Sequence, residues 1–299
     1  MYNIIGKTKI WFGLSLVIIV VGMVSIFFWG FNFSIDFTGG SLTELTYENS
    51  RPIIADVEKI ISDTTQSSVQ IQPVGEKSYI IRTNTLSEDI HQQVLNQLKE
   101  KFPDNKFAED RFESIGPIIG QELKRKAILS IFIVLAAIII YIAYAFRKVS
   151  KPVQSWKYGT AAIIALIHDL IVVVGLYSLI SHFVGWSVDS LFITALLTIL
   201  GFSVHDTIVV FDRIRETLKK EESDKFEVIV NDSINQTIMR SINTSFITLL
   251  VLTAIFLFGG PTIKHFILTL IIGITVGTYS SIFIASPILV LWNRTSKRG

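Results

Sequence analysis

The stretch at residues 190–211, SLFITALLTILGFSVHDTIVVF, decides the fold. A helix needs about 20 predominantly apolar residues to cross a bilayer core, and this one has enough. It nevertheless carries His205 and Asp206 inside its apolar run. An acid at the centre of a membrane helix costs about 2.5–3.5 kcal/mol on insertion scales, so its presence calls for a reason. Five further windows have the same length and character: Ile10 to Ile35, Ala127 to Phe146, Tyr158 to Ile180, Ser241 to Phe258 and Ile263 to Trp292. The third of the six, from Tyr158, holds His168 and Asp169. The fifth is closed by Gly259-Gly260-Pro261, and the sixth has Pro287 near its end. The first window is free of charge, too long for the apolar region of a cleaved signal peptide, and not closed by a small-residue cleavage site. The expected fold is a membrane all-α bundle of six transmembrane helices, with one polar insert after the first.

Composition agrees. Of 299 residues, 50% are hydrophobic and 17% charged, with a mean hydropathy of +0.52. A soluble domain typically carries about 25% charged residues. There is no cysteine, which excludes a disulfide scaffold, a cysteine-based zinc site, a thiol nucleophile and an iron–sulfur centre. With 27 basic and 25 acidic residues the net charge is +2, which gives no case for a nucleic-acid partner. No HExxH pair, phosphate-cradling loop or nucleophile elbow is present, so the expectation is a non-enzyme with no catalytic residues, metal or cofactor.

Basic residues in the short connections set the orientation. Lys7 and Lys9 precede the first window, Arg147, Lys148, Lys151 and Lys157 separate the second from the third, and Arg294, Lys297 and Arg298 close the chain. Six crossings put all three groups on one side, the cytoplasm, with both termini there. The expected division is a first helix at 1–35, an external domain at 36–125, five helices within 126–293 that include a cytoplasmic loop at 212–239, and a tail at 294–299. Between Asp36 and Leu123 fifteen acids face eight bases, a net −7 suited to the outer side.

That insert reads as a small α+β domain. Ser41 to Glu48 is strand-like, and Pro52 suits the first turn of a helix continuing to Ile61. Val69 to Val74 and Tyr79 to Arg82 form a hairpin pair around Gly75. Ser87 is placed to N-cap a helix from Ile90 to Phe102, and Phe107 to Glu113 supplies a last strand. The order βαββαβ suggests a ferredoxin-like fold. His91, on the second helix, is expected to be a solvated surface residue. In the 212–239 loop, Arg213, Arg215, Lys219 and Lys220 are expected to meet Glu221, Glu222 and Asp224 in a surface helix hairpin.

The intramembrane residues suggest proton chemistry. Low dielectric favours a neutral acid and a nearby guanidinium favours the carboxylate, so a site balanced between them loads and releases a proton as its partner moves. Arg240, at the start of the fifth helix, falls within roughly 10 Å of the same membrane face as Asp206. It either partners that acid or snorkels to the interface. His168-Asp169 repeats the dipeptide of His205-Asp206; such a pair either relays protons or satisfies its own hydrogen bonds inside the bundle. Thr198, Ser203, Thr207, Ser241, Thr244, Ser245 and Thr248 add small polar groups that either pack helices closely or line a hydrated path. The glycines of Phe37-Thr38-Gly39-Gly40-Ser41 belong to a hinge or tight turn.

Several of these segments are similar to one family. Phe33-Ser34-Ile35-Asp36-Phe37-Thr38-Gly39-Gly40-Ser41 resembles the helix-exit signature of SecF, with Asp36, Gly39 and Gly40 at its centre. Gly201 to Glu216, reading GFSVHDTIVVFDRIRE, and Ser233 to Ser241, reading SINQTIMRS, resemble the same family, as do Ser114-Ile115-Gly116-Pro117 and Ile167-His168-Asp169. The resemblance covers essentially the whole chain. It implies a half-unit of the resistance-nodulation-division superfamily that pairs with SecD in the bacterial cytoplasmic membrane. It also implies use of the proton motive force to help pull preprotein from the SecYEG channel after SecA has begun pushing, with YajC and YidC as further candidate partners. Asp206 and Arg240 fall on the family positions linked to proton passage; His205, His168 and Asp169 are candidate modulators. His205 stands where the family usually has Asn, which bears on pH response and on whether the coupling ion is a proton or sodium. The competing reading is a standalone, self-assembling exporter of small molecules or lipids from the same superfamily. One charge crossing 100 mV yields about 2.3 kcal/mol, roughly a fifty-fold bias, which is adequate for a ratchet.

Overall fold

Long, predominantly apolar runs give the long helices, and a switch to period-two patterning gives the strands between the first two of them. The computed structural model describes residues 2–147, 154–220 and 225–296. Lys148, Lys151, Glu221, Glu222, Asp224, Lys297 and Arg298, read above for topology and pairing, lie outside the described residues. In chain order the elements are α1 (Thr8–Trp29), α2 (Ile35–Thr38), β1 (Gly40–Tyr47), α3 (Ile54–Thr65), β2 (Gln70–Val74), β3 (Ser78–Thr83), α4 (Glu88–Lys101), β4 (Phe107–Ile115), α5 (Pro117–Ala145), α6 (Ser155–Val184), α7 (Ser190–Lys220), α8 (Phe226–Phe258), α9 (Pro261–Ser280) and α10 (Ser286–Ser296). Among the described residues six helical spans are long and apolar enough to cross a membrane.

The chain divides into two units, a helical bundle and an α/β unit. In the bundle, small residues let backbones approach, as expected where lipid removes the hydrophobic drive between helices. Gly22 of α1 meets Gly175 of α6 so closely that a Cβ added at Gly175 would lie 2.6 Å from the Gly22 Cα. Three residues along each helix, Ser25 bonds Ser178 at 3.1 Å. Gly273 and Gly277 of α9 make a second such contact, against Ile199 and Ser203 of α7. Between α9 and α10 one π-helical turn, Ser281–Ala285, takes up the disturbance of Pro287, whose ring would strike the carbonyl four residues earlier.

The α/β unit is a four-stranded antiparallel sheet in the order β2-β3-β1-β4. Its helices α3 and α4 cover one face around Leu45, Tyr47, Tyr79, Ile81, Val57, Ile61 and Leu98. Gly39 (φ 74°) and Gly40 (φ 126°) make the turn into β1. A Cβ on the first would sit 2.8 Å from Pro117 Cα, and on the second 2.6 Å from the Thr83 carbonyl, so neither position admits a side chain.

Several boundaries differ from the sequence expectations. The first helix ends at Trp29 rather than residue 35, because Gly30 turns the chain at φ 64° and residues 32–34 then run beside Val188. The 212–239 segment is largely helical, as a helix hairpin requires, but its arms are continuations of the membrane helices: α7 runs on to Lys220 and α8 begins at Phe226. The helices starting near residues 127 and 158 begin earlier, at Pro117 and Ser155. His91 is not a surface residue. It is 1% exposed, stacked 3.6 Å from the Phe112 ring and bonded through Nε2 to Glu109 at 2.7 Å. It opens the buried stripe His91, Val94, Leu95 and Leu98 along α4. Arg213 and Lys220 pair with Glu216, at 2.6 and 2.7 Å, on their own helix.

Candidate functional site

The two acids inside the bundle sit in unlike surroundings. Asp169 of α6 is 0% exposed and surrounded by donors. Its Oδ1 lies 2.9 Å from His168 Nδ1, and its Oδ2 accepts the hydroxyls of Ser203 (2.5 Å) and Ser280 (2.7 Å). The carboxylate thereby ties α6, α7 and α9 together. The α7–α9 approach at Gly277 is what brings Ser203 and Ser280 to the same oxygen.

Asp206, three residues beyond Ser203 on α7, is 4% exposed. Its Oδ1 is reached by the Ser241 hydroxyl of α8 at a long 3.4 Å, and its Oδ2 is buried without a hydrogen-bond partner. Thr278 lies beside the carboxylate and bonds Ser245 at 2.5 Å. Thr207 bonds Ser281 at 2.8 Å, completing a polar seam between α7, α8 and α9. A buried acceptor normally finds a partner, and a native exception commonly marks a functional group. One oxygen of Asp206 is thus unbonded, whereas both oxygens of Asp169 are engaged.

Arg240 is exposed and within electrostatic reach of Asp206, but no ion pair closes within 4.0 Å. It lines a polar cleft with Val209, Asp212, Arg213, Glu216, Gln236 and Thr237. His205 points outward on the exposed side of α7, and His168 keeps Nε2 buried and unbonded. Thr198, Thr244 and Thr248 turn their hydroxyls onto the carbonyls of Thr194, Arg240 and Thr244 in their own helices, which takes them out of any interhelical network here.

The sequence reading did not single out Thr278, Ser280 or Ser281. A run of four polar residues, Thr278 to Ser281, in an otherwise apolar helix was the available signal.

Asp36 accepts the backbone N–H of Ser190 through Oδ2 at 2.8 Å, at the first turn of α7. A carboxylate there satisfies an orphan amide and complements the helix dipole. The family model for the protein export membrane protein SecD/SecF, C-terminal, matches residues 93–295, and that for the SecD/SecF GG motif matches residues 24–50. The chain belongs to the SecD/SecF family. The SecF protein translocase subunit of Anaerolinea thermophila is 42% identical over 98% of this chain and 94% of its own length. The SecDF protein translocase subunit of Brucella abortus is 34% identical over 93% of this chain, which spans 35% of that longer protein. The crystal structure of SecDF from Thermus thermophilus, a translocon-associated membrane protein, superposes with a TM-score of 0.83 at 32% identity, covering 98% of this chain and 39% of that one. Membership places the chain in protein export and not in enzymatic catalysis, and Gly39 and Gly40 are the glycines of the matched motif.

Proposed function

We propose that this chain is the SecF partner of a SecD subunit, and that together they use the proton motive force to promote preprotein movement across the bacterial cytoplasmic membrane. Pairing with SecD is supported by relatives in which both names belong to one longer chain, of which this chain spans about a third. The wider assembly, with SecYEG as channel, SecA as initiating motor and YajC and YidC as accessories, follows from the family resemblance. In this reading both termini are cytoplasmic and the α/β unit is external. The βαββαβ order, with each helical crossover skipping one strand of the β2-β3-β1-β4 sheet, supports a ferredoxin-like assignment for it. The self-assembling exporter gains no support from these relatives.

The observation that carries the proposal is the buried carboxylate of Asp206, one oxygen of which has no hydrogen-bond partner, with Arg240 within electrostatic reach. Asp206 takes a proton when Arg240 is withdrawn and loses it when the guanidinium approaches, because the nearby cation favours the carboxylate. The mobile partner is Arg240, long enough to swing and held by no ion pair with Asp206. Asp169, Ser203 and Ser280 hold the helices against which that motion works.

The test is Arg240→Met in the assembled complex, with export followed before and after the proton motive force is collapsed. The expected result is export that no longer responds to the collapse. Undiminished stimulation by the proton motive force would refute the proposal.

A further inference from the structure

The segment ahead of α1 is packed into the bundle. Ile4 and Ile5 are buried and share one apolar cluster with Phe226, Val230, Ile234 and Ile238 of α8. Two asparagines of α8, four residues apart, grip the backbone of this segment. Asn235 accepts the Tyr2 N–H at 2.8 Å and donates to the Tyr2 carbonyl at 2.9 Å. Asn231 donates to the same carbonyl at 3.1 Å and accepts the N–H groups of Ile4 and Ile5 at 2.9 and 3.3 Å. A carboxamide carries its acceptor and its donor on separate atoms, as this pairing needs. The segment is pinned on its other side by Trp11 of α1, which donates to the Ile4 carbonyl at 3.2 Å. The Trp11 carbonyl in turn accepts the Tyr279 hydroxyl of α9 at 2.7 Å. Residues 2–5 therefore tie α8 to α1 and α9.

Beyond this grip α8 is held more lightly. Of residues 242–258 only Ser245 and Leu252 are buried. Arg240 stands at the boundary between the gripped and the exposed parts. At 3.6 residues per turn it lies about 160° round the helix from the middle of the asparagine pair. A grip on one face of α8 sets the rotation of the helix, and with it the direction in which the opposite face presents Arg240.

We propose that Asn231 and Asn235 are positioning residues for the proton site: by holding the backbone of residues 2–5 they set the rotation of α8, and thereby the approach of Arg240 to Asp206. The proposal rests on the proton reading given above. It adds two residues whose side chains bond neither Asp206 nor Arg240. It also confines the change at the site to the Arg240 side chain, with the α8 backbone held still.

The experiment uses the complex with SecD in vesicles and the absence of cysteine from this chain. Ser241→Cys on α8, at a position 1% exposed, and Ala165→Cys on α6, at 0%, are introduced separately into the parent and into Asn231→Leu/Asn235→Leu. Maleimide labelling is read on this chain. Proton flux is measured on the same backgrounds without the added cysteines, with Asp206→Asn as control. The double variant is expected to raise labelling at position 241 by about tenfold, leave position 165 unlabelled, and lower flux by about fivefold or more. Asn231→Asp, which keeps the acceptor for the Ile4 and Ile5 N–H groups, is expected to stay within about twofold of the parent on both readings. Labelling that rises equally at both positions is general loosening and overturns the proposal. Unchanged labelling at 241 also overturns it, as does unchanged flux with raised labelling. If the double variant fails to assemble, Asn235→Leu alone, which loses both bonds to Tyr2 made by that residue, is read by the same criteria. If Asp206→Asn leaves flux intact, the proton reading fails separately. The grip is then judged on labelling alone: a rise confined to 241 supports it, and no rise overturns it.

Discussion

Asp169 and Asp206 lie on adjacent elements of one bundle, each preceded by histidine, each almost sealed from solvent, and they have opposite surroundings. Asp169 collects three donors from three helices, with both oxygens engaged. Asp206 has a long contact to Ser241, Thr278 beside it, and one oxygen without a hydrogen-bond partner. The same dipeptide thus has a fully bonded acid in α6 and a half-bonded one in α7. What separates them is the supply of hydroxyls from neighbouring helices. Ser203 and Ser280 converge on Asp169, whereas Thr207 and Ser281 satisfy each other beside Asp206. Depth in the apolar window does not distinguish the two acids, because both are deep.

The sharpest way to break this contrast is Asp169→Ala. Removing the carboxylate leaves Ser203 and His168 without their acceptor and deprives Ser280 of its shorter bond, at a cost of about 2–4 kcal/mol. Equilibrium unfolding in mild detergent checks it, and an unchanged midpoint would remove Asp169 from the structural role. Gly277→Ala acts on the same staple from a distance. Its Cβ would fall 2.9 Å from Ser203 Cβ, so α7 and α9 must separate, at about 1–3 kcal/mol by the usual cost of overpacking. If Gly277→Ala proves neutral, the close approach is not what assembles the Asp169 cluster.

A third buried acid, Glu44 of β1, carries the comparison out of the membrane. Burial raises its carboxyl above the ordinary 4.5, the neighbouring Asp110 raises it further, and Arg111 pulls the other way. The folded state then binds this proton more tightly than the unfolded chain does. Its contribution therefore favours the fold in acid and declines as pH rises from 4.5 through the raised value. Glu44→Gln should flatten that slope in hydrogen exchange of β1 within the full-length protein. This is the smallest of the expected effects, and a slope unchanged by the substitution would assign it to other groups.

The sequence made the number of crossings and the βαββαβ order of the insert legible, because apolar run length and the switch of period are local properties. Helix ends were less legible. Residues 212–220 and 226–240 are polar yet contain no proline or glycine, so nothing in their sequence marks where the membrane ends and the helix does not. His91 was misread because a histidine at the head of a buried stripe looks like a polar residue on an amphipathic face until Phe112 and Glu109 are seen beneath it. At the site, Asp206 was visible as a cost without a compensating partner. Its distinction from Asp169 depends on which serines converge in space, and only the packing of α9 against α7 settles that.

The central claim is that Asp206 moves protons and Asp169 holds helices. The direct measurement is proton flux through the SecD-containing complex in vesicles, for Asp206→Asn and Asp169→Asn, each confirmed as folded and assembled. Both variants keep the shape of the side chain, and only Asp206→Asn removes a carboxylate with an unoccupied oxygen. The account predicts that Asp206→Asn brings flux down to the background of vesicles without the complex, while Asp169→Asn conducts close to the parent level. Flux that survives Asp206→Asn and is lost in Asp169→Asn would contradict it.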